Sequence, residues 1–151
     1  VSSREQKGLS YARVPAETPT QVFDWGAIKW LVTPGDISGA QSTFGEVVIN
    51  PGKGHDRHNH PDAEEVLYVI EGTGHQTVGD SEFPIVAGDA VYIPRGVYHS
   101  THNTSWKTLR LIATYTPGGA EKALEAAPDY QRLAPGELPV WARNPETGQS
   151  R

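Results

Sequence analysis

The eleven residues from His55 to Glu65, HDRHNHPDAEE, hold three of the chain's six histidines and four of its eighteen acidic residues. All six histidines fall between His55 and His102. Composition alone seldom produces such clustering, whereas a metal site requires it. His58 and His60 are two apart, and on an extended strand residues i and i+2 point to the same face, so both imidazoles can address one point. Glu65 opens the run EVLYVIEG, β-branched and aromatic enough for the neighbouring strand after a turn at Pro61-Asp62, and a hairpin there would return its carboxylate to the imidazole pair. A fourth ligand comes from far along the chain: His99, in GDAVYIPRGVYHSTHN (88–103), follows a turn shaped by Pro94 and Gly96. Three imidazoles and one carboxylate make a mixed nitrogen and oxygen set that suits Fe(II), Mn(II), Zn(II), Ni(II) or Co(II).

Around this stretch the chain is punctuated by sixteen glycines and twelve prolines, with short β-rich runs between them. Eight strands are expected: Val22–Phe23, Ala27–Thr33, Ser42–Ile49, Glu65–Glu71, Gly74–Val78, Ala90–Ile93, His99–Asn103 and Thr108–Tyr115. That pattern predicts an all-β sandwich or barrel. In GGAEKALEAAPDY, apolar Ala120, Ala123, Leu124 and Ala127 recur at helical spacing before Pro128, which predicts one short C-terminal helix. The Pro-rich tail beyond it reads as loop; its Trp141 is free to pack on the body or on another subunit, and the last eight or so residues read as frayed.

A chain of 151 residues fits one domain. Its expected parts are an N-terminal extension with strands (1–40), a core carrying the histidine stretches (41–116), and the helix and tail (117–151). The net charge of −5 offers no basic field for phosphate backbone, so nucleic acid is excluded as the expected partner. No apolar run approaches membrane-spanning length and the first residues lack a signal-peptide pattern, so a soluble, cytoplasmic protein is expected. Zero cysteines exclude thiolate zinc sites and disulfides and leave histidine and carboxylate as the available strong ligands.

His58, His60, Glu65 and Gly72, opened by Gly52, resemble the first motif of the cupin superfamily: glycine, five residues, HxH, three or four residues, Glu, six residues, Gly. Gly88, Pro94, Gly96, His99 and Asn103 resemble its second motif at every fixed position. The resemblance implies a small double-stranded β-barrel of the jelly-roll kind, with His58, His60, Glu65 and His99 around one divalent metal per chain, Fe(II) or Mn(II) foremost. Six residues before Gly72 selects Glu65 over Glu64, and adjacent strand residues cannot both point inward. A homodimer is common in the family, and the EVLYVIEG strand, without polar alternation, needs cover on both faces.

Four protein ligands on a metal that prefers six leave about two positions open, which favours catalysis on a small molecule able to chelate through paired oxygens. A non-haem oxygenase of the dioxygenase type, acting on a diketone, enol, catechol-like compound or hydroxy acid, is the first expectation. The alternative is a redox-neutral isomerase, lyase or cyclase using the metal as Lewis acid on a sugar, uronate or polyketide-like substrate. A non-catalytic binding or storage module is third. Candidate acid, base or clamp residues are Tyr68, His75, Tyr98 and Arg110, the last as a carboxylate fork if its side chain points inward. The remaining histidines, His55 and His102, read as surface or supporting residues.

Overall fold

Alternation of buried and exposed side chains sets the architecture. A computed structural model describes residues 11–142. Its strands are β1 (Thr20–Phe23), β2 (Gly26–Val32), β3 (Thr43–Ile49), β4 (Gly54–His58), β5 (Glu64–Glu71), β6 (Thr73–Val78), β7 (Ser81–Val86), β8 (Ala90–Ile93), β9 (His99–His102), β10 (Leu109–Thr116) and β11 (Gln131–Leu133). In β3, β5 and β10 every second residue is buried: Val47 and Ile49, then Glu65, Leu67 and Val69, then Leu109, Leu111, Ala113 and Tyr115. Period two thus gives each strand one face toward the core.

The strands form two antiparallel sheets, one in the order β11-β1-β2-β3-β10-β5-β8 and one in the order β4-β9-β6-β7. Between β3 and β10 the chain passes repeatedly from one sheet to the other, and residues of both, such as Ile85 of β7 with Val69 and Leu111 of the large sheet, enter a single buried cluster. The all-β expectation holds, in the form of two facing sheets. β1, β2 and β11, from outside the 41–116 core, hydrogen-bond into the same large sheet.

All eight expected strands are present, and three more were unforeseen. β4 is too polar to read as a strand, and its pairing with β9 is irregular between His55 and His58. β7 contains Pro84, tolerated because β7 is the edge of the small sheet. β11 is three residues long and pairs only with β1.

The expected C-terminal helix is a 3₁₀ segment, Ala120–Ala126, not an α-helix. Its buried residues, Glu121 and Leu124, are three apart, the repeat that a 3₁₀ turn aligns. Glu121 anchors the start: its Oε2 accepts from Thr43 Oγ1 at 2.8 Å and from Gly119 N at 3.0 Å. Trp141 folds back on the body, sharing a hollow with Ala27 and Pro139 while remaining 44% exposed. The tail expected to fray lies mostly outside the described residues. Among those described, no helix is long and apolar enough to cross a membrane.

Asn103 follows β9 and is almost fully buried. Its amide donates to Ile49 O and Lys107 O, and its Oδ1 accepts from Ser105 N and Oγ, which fastens the turn before β10 to the end of β3. Gly72 and Gly88 both adopt positive φ, +93° and +97°. A β-carbon on Gly72 would lie 2.6 Å from Thr108 O, whereas one on Gly88 would meet open space. Gly88→Ala should therefore lose only the backbone penalty, about 1–2 kcal/mol, and Gly72→Ala distinctly more. Urea denaturation of both variants reads the difference, and equal losses would show that the Thr108 backbone yields.

Candidate metal centre

Four side chains from both sheets converge inside the fold. His58 closes β4 and His99 opens β9, adjacent strands of the small sheet in which the two residues are register partners. Glu65 comes from β5 of the large sheet, and His60 lies on the crossing between β4 and β5. The expected hairpin is therefore a crossover: the turn at Pro61-Asp62 carries the chain from one sheet to the other. Glu65 still reaches the imidazoles because the two sheets face each other. His60 is past the end of its strand, so the shared-face argument for the HxH pair gives the right neighbours by a different path.

The ring nitrogens of His58, His60 and His99 that can ligate lie within 4.8 Å of one another. Glu65 Oε2 is 3.1 Å from His60 Nε2, and Glu65 Oε1 is 3.9 Å from His99 Nε2. His60, Glu65 and His99 are 6%, 5% and 1% exposed. Yet His60 Nε2, His99 Nε2 and Glu65 Oε2 are buried with no hydrogen-bond partner among the described residues. Such atoms are rare in folded proteins, and a metal ion satisfies all of them at once.

The tautomers are fixed from behind. Nδ1 of His58 is 2.7 Å from Asp56 O and Nδ1 of His99 is 2.9 Å from Val97 O. A carbonyl only accepts, so each Nδ1 carries the proton and each Nε2 keeps its lone pair. Burial, together with the neighbouring His99, lowers the His58 pKa to about 4, and burial lowers that of His99. Both rings are thus neutral near pH 7, the form that binds metal.

Period two separates Glu64 from Glu65: Glu64 points outward and accepts from Tyr92 OH at 2.7 Å. The four candidate acid, base or clamp residues are not brought to this cluster. Tyr68 lies on the outer face of the large sheet, 48% exposed, and Tyr98 is 53% exposed. His75 sits 3.5 Å from Glu82 on β7, with its side chain 42% exposed. Arg110 shares the outer face of β10 with Ile112 and Thr114; its Nε donates to Glu46 at 2.7 Å and its Nη1 to Glu71 at 3.4 Å, a salt bridge across three strands and not a substrate clamp.

Two residues outside the expected ligand set stand beside the cluster, one of them His55, expected as a surface or supporting residue. His55 stacks on His58 at 3.8 Å between ring centroids, with Trp25 on its other side at 5.1 Å. Burial and the surrounding imidazoles push its pKa down to about 3. Tyr115, on the inward face of β10, lies 4.6 Å from the His60 ring, and burial and the Glu65 carboxylate hold its phenol well above its usual value. The odd-numbered apolar face of β10 was the signal for Tyr115; for His55 only its distance of three residues from His58 was available.

Beside the cluster is an inner cavity of about 30 Å³. His55, His58, Glu65 and His99 line one side, and the rest is apolar or aromatic apart from Thr101, including Ile28, Trp30, Leu111 and Leu124. No lysine or arginine among the described residues lines it.

The sequence matches the family described as Cupin domain over residues 45–115, a span containing every residue of the cluster. The tetracenomycin polyketide synthase protein TcmJ of Streptomyces glaucescens is 26% identical over 61% of this chain and 62% of its own length. A predicted oxalate decarboxylase from Thermotoga maritima has a similar fold, with a TM-score of 0.61 and 23% identity over 70% of this chain and 98% of that one. One part of the oxalate decarboxylase of Bacillus subtilis, an enzyme with Mn(II) centres, matches 74% of this chain and 28% of that one at a TM-score of 0.59 and 20% identity. At these identities the structural likenesses carry the fold alone. The family match over 45–115, which contains both histidine motifs, carries the conclusion that the chain belongs to the cupin superfamily.

Proposed function

We propose that His58, His60, Glu65 and His99 hold one divalent transition metal, and that the protein is a metal-dependent enzyme whose first reading is a non-haem oxygenase of the dioxygenase type. The carrying observation is that the buried atoms His60 Nε2, His99 Nε2 and Glu65 Oε2 lie close together, with Glu65 3.1 and 3.9 Å from the two rings, yet have no hydrogen-bond partner among the described residues. Three imidazole nitrogens and one carboxylate oxygen suit Fe(II) or Mn(II), with Zn(II), Ni(II) and Co(II) as further candidates. When bound, such a metal would supply Lewis acidity and, as iron or manganese, redox chemistry.

The chain's own contribution is a small recess, apolar on the side away from the cluster. An inner cavity of about 30 Å³ accommodates something the size of O₂ or the two-oxygen end of a larger compound. Its lining lacks a cation to neutralise a free dianion, which favours substrates that are uncharged apart from their chelating oxygens: diketones, enols and catechol-like compounds. A redox-neutral isomerase, lyase or cyclase is the second reading, and His55 is the observation that favours it. Its imidazole lines the cavity beside His58, in place to relay a proton, although burial and the surrounding imidazoles make it a weak base.

A homodimer is the proposed assembly. Val66, Tyr68 and Ile70 project from the outer face of β5 at 38%, 48% and 36% exposure, and Tyr92 of β8, opposite Val66, is 58% exposed. Against a second copy this apolar surface would be covered.

Metal analysis should find about one transition metal per chain in the native protein and loss of most of it in His58→Ala and His99→Ala, since removing even a residue that only supports a ligand costs about 10- to 100-fold in affinity. Native-like occupancy in either variant would remove the assignment. Oxygen uptake by iron-loaded protein over a panel of diketones, catechols and hydroxy acids distinguishes the two readings; product formation without uptake would favour the redox-neutral one. Sedimentation should give a dimer for the native chain and a monomer for Tyr68→Glu, with a native monomer at micromolar concentration counting against the assembly.

A further inference from the structure

A groove of about 490 Å³ lies outside the inner cavity, and four residues line both spaces: Trp25, His55, His58 and Leu124. These four are the partition between them. The groove falls within the range of about 300–1,000 Å³ for small-molecule sites, while the inner cavity is an order of magnitude below it. A ligand larger than a few atoms therefore cannot place its whole body beside His58, Glu65 and His99. Its head must enter through the partition, and its body must stay in the groove.

Three members of the partition are held from several sides. The Trp25 ring is stacked between Phe23, at 5.0 Å, and His55, at 5.1 Å; His55 is stacked in turn on His58, which is tied to Asp56 O. Leu124 is different. It reaches the partition from the 3₁₀ segment Ala120–Ala126, whose start Glu121 ties down, while the Leu124 side chain itself is held by apolar contacts without direction. It is 8% exposed.

We propose that Leu124 is the specificity-determining residue of the site, setting how much of a ligand can follow its two-oxygen head past Trp25 and His55 toward the cluster. The inference rests on the metal-site reading above for the identity of the head, but not for the partition itself. Truncating Leu124 joins groove and cavity into one site; enlarging it seals the passage. The ligand class that follows is a flat or slender compound with paired oxygens at one end, whose body lies along a groove that also carries Lys53, Arg57, Asp24, Asp56 and Asp129.

Two probe pairs separate the size effect from the metal. Catechol and 2,3-dihydroxynaphthalene, measured by calorimetry on metal-loaded protein, differ by one ring and share the chelating end. Phenol and 2-naphthol, measured on metal-free protein, differ by the same ring and do not chelate. In Leu124→Ala the two-ring member should gain on the one-ring member by about fivefold or more in both pairs, as expected from the apolar area newly buried. Leu124→Phe should shift the preference the other way, and Leu124→Val, a smaller change, should fall between Leu and Ala should the alanine variant not fold. Unchanged ratios across the foldable variants would overturn the assignment. Catechols that bind no better with metal than without, alongside a retained ring-size effect, would remove the chelation reading and leave Leu124 in its role; metal dependence without a ring-size effect would do the reverse.

Discussion

Burying ligating atoms without hydrogen-bond partners is the constraint on which the rest of the structure depends. Each unpaired polar atom of this kind is worth about 1–3 kcal/mol against folding, and His60 Nε2, His99 Nε2 and Glu65 Oε2 are all held so. The fold tolerates them only because everything around them is fixed: backbone carbonyls at Asp56 and Val97 set the His58 and His99 tautomers, and Tyr115 packs behind the His60 ring. An interior with this pattern is poorly explained by packing and well explained by an ion.

The same constraint explains why strand register matters so much. A slip of one residue in β5 would turn Glu64, Val66 and Tyr68 inward and Glu65 out. On the outer face, Arg110 binds Glu46 of β3 and Glu71 of β5 at once, straddling the point where the β10–β5 register shifts. Half-exposed ion pairs add little stability. Their geometry nevertheless fits only the alignment that keeps Glu65, Leu67 and Val69 facing the core, so they mark the register that apolar burial sets.

Much of this was legible in the chain itself, because β-strands write their burial in alternate residues. The two faces of the strand at 108–115 follow from that period, whereas the preference for Glu65 over Glu64 and the joining of His58 with the distant His99 are what the resemblance to the two cupin motifs implies. What stayed hidden was set by contacts between segments far apart in sequence. Nothing in EVLYVIEG reveals that the chain changes sheets before it, and β4 carries too many charged and imidazole side chains to look like a strand. The apolar spacing at Ala120–Ala127 is compatible with either helix type; Thr43, seventy-eight residues from Glu121, helps to anchor the tighter one. Tyr68, His75, Tyr98 and Arg110 were chemically plausible, but they point away from the cluster.

Asn103 carries a consequence of another kind. With Thr104 and Ser105 it spells Asn-Thr-Ser, the acceptor sequence for N-linked sugar. In the folded chain its amide nitrogen is committed to Ile49 O and Lys107 O and is shut away from solvent, so no transferase could reach it. Sugar could be attached only before the chain folds, and a chain so modified could not close the turn between β9 and β10. Production through a eukaryotic secretory route would thus set glycosylation against folding, with every modified molecule lost to the native state.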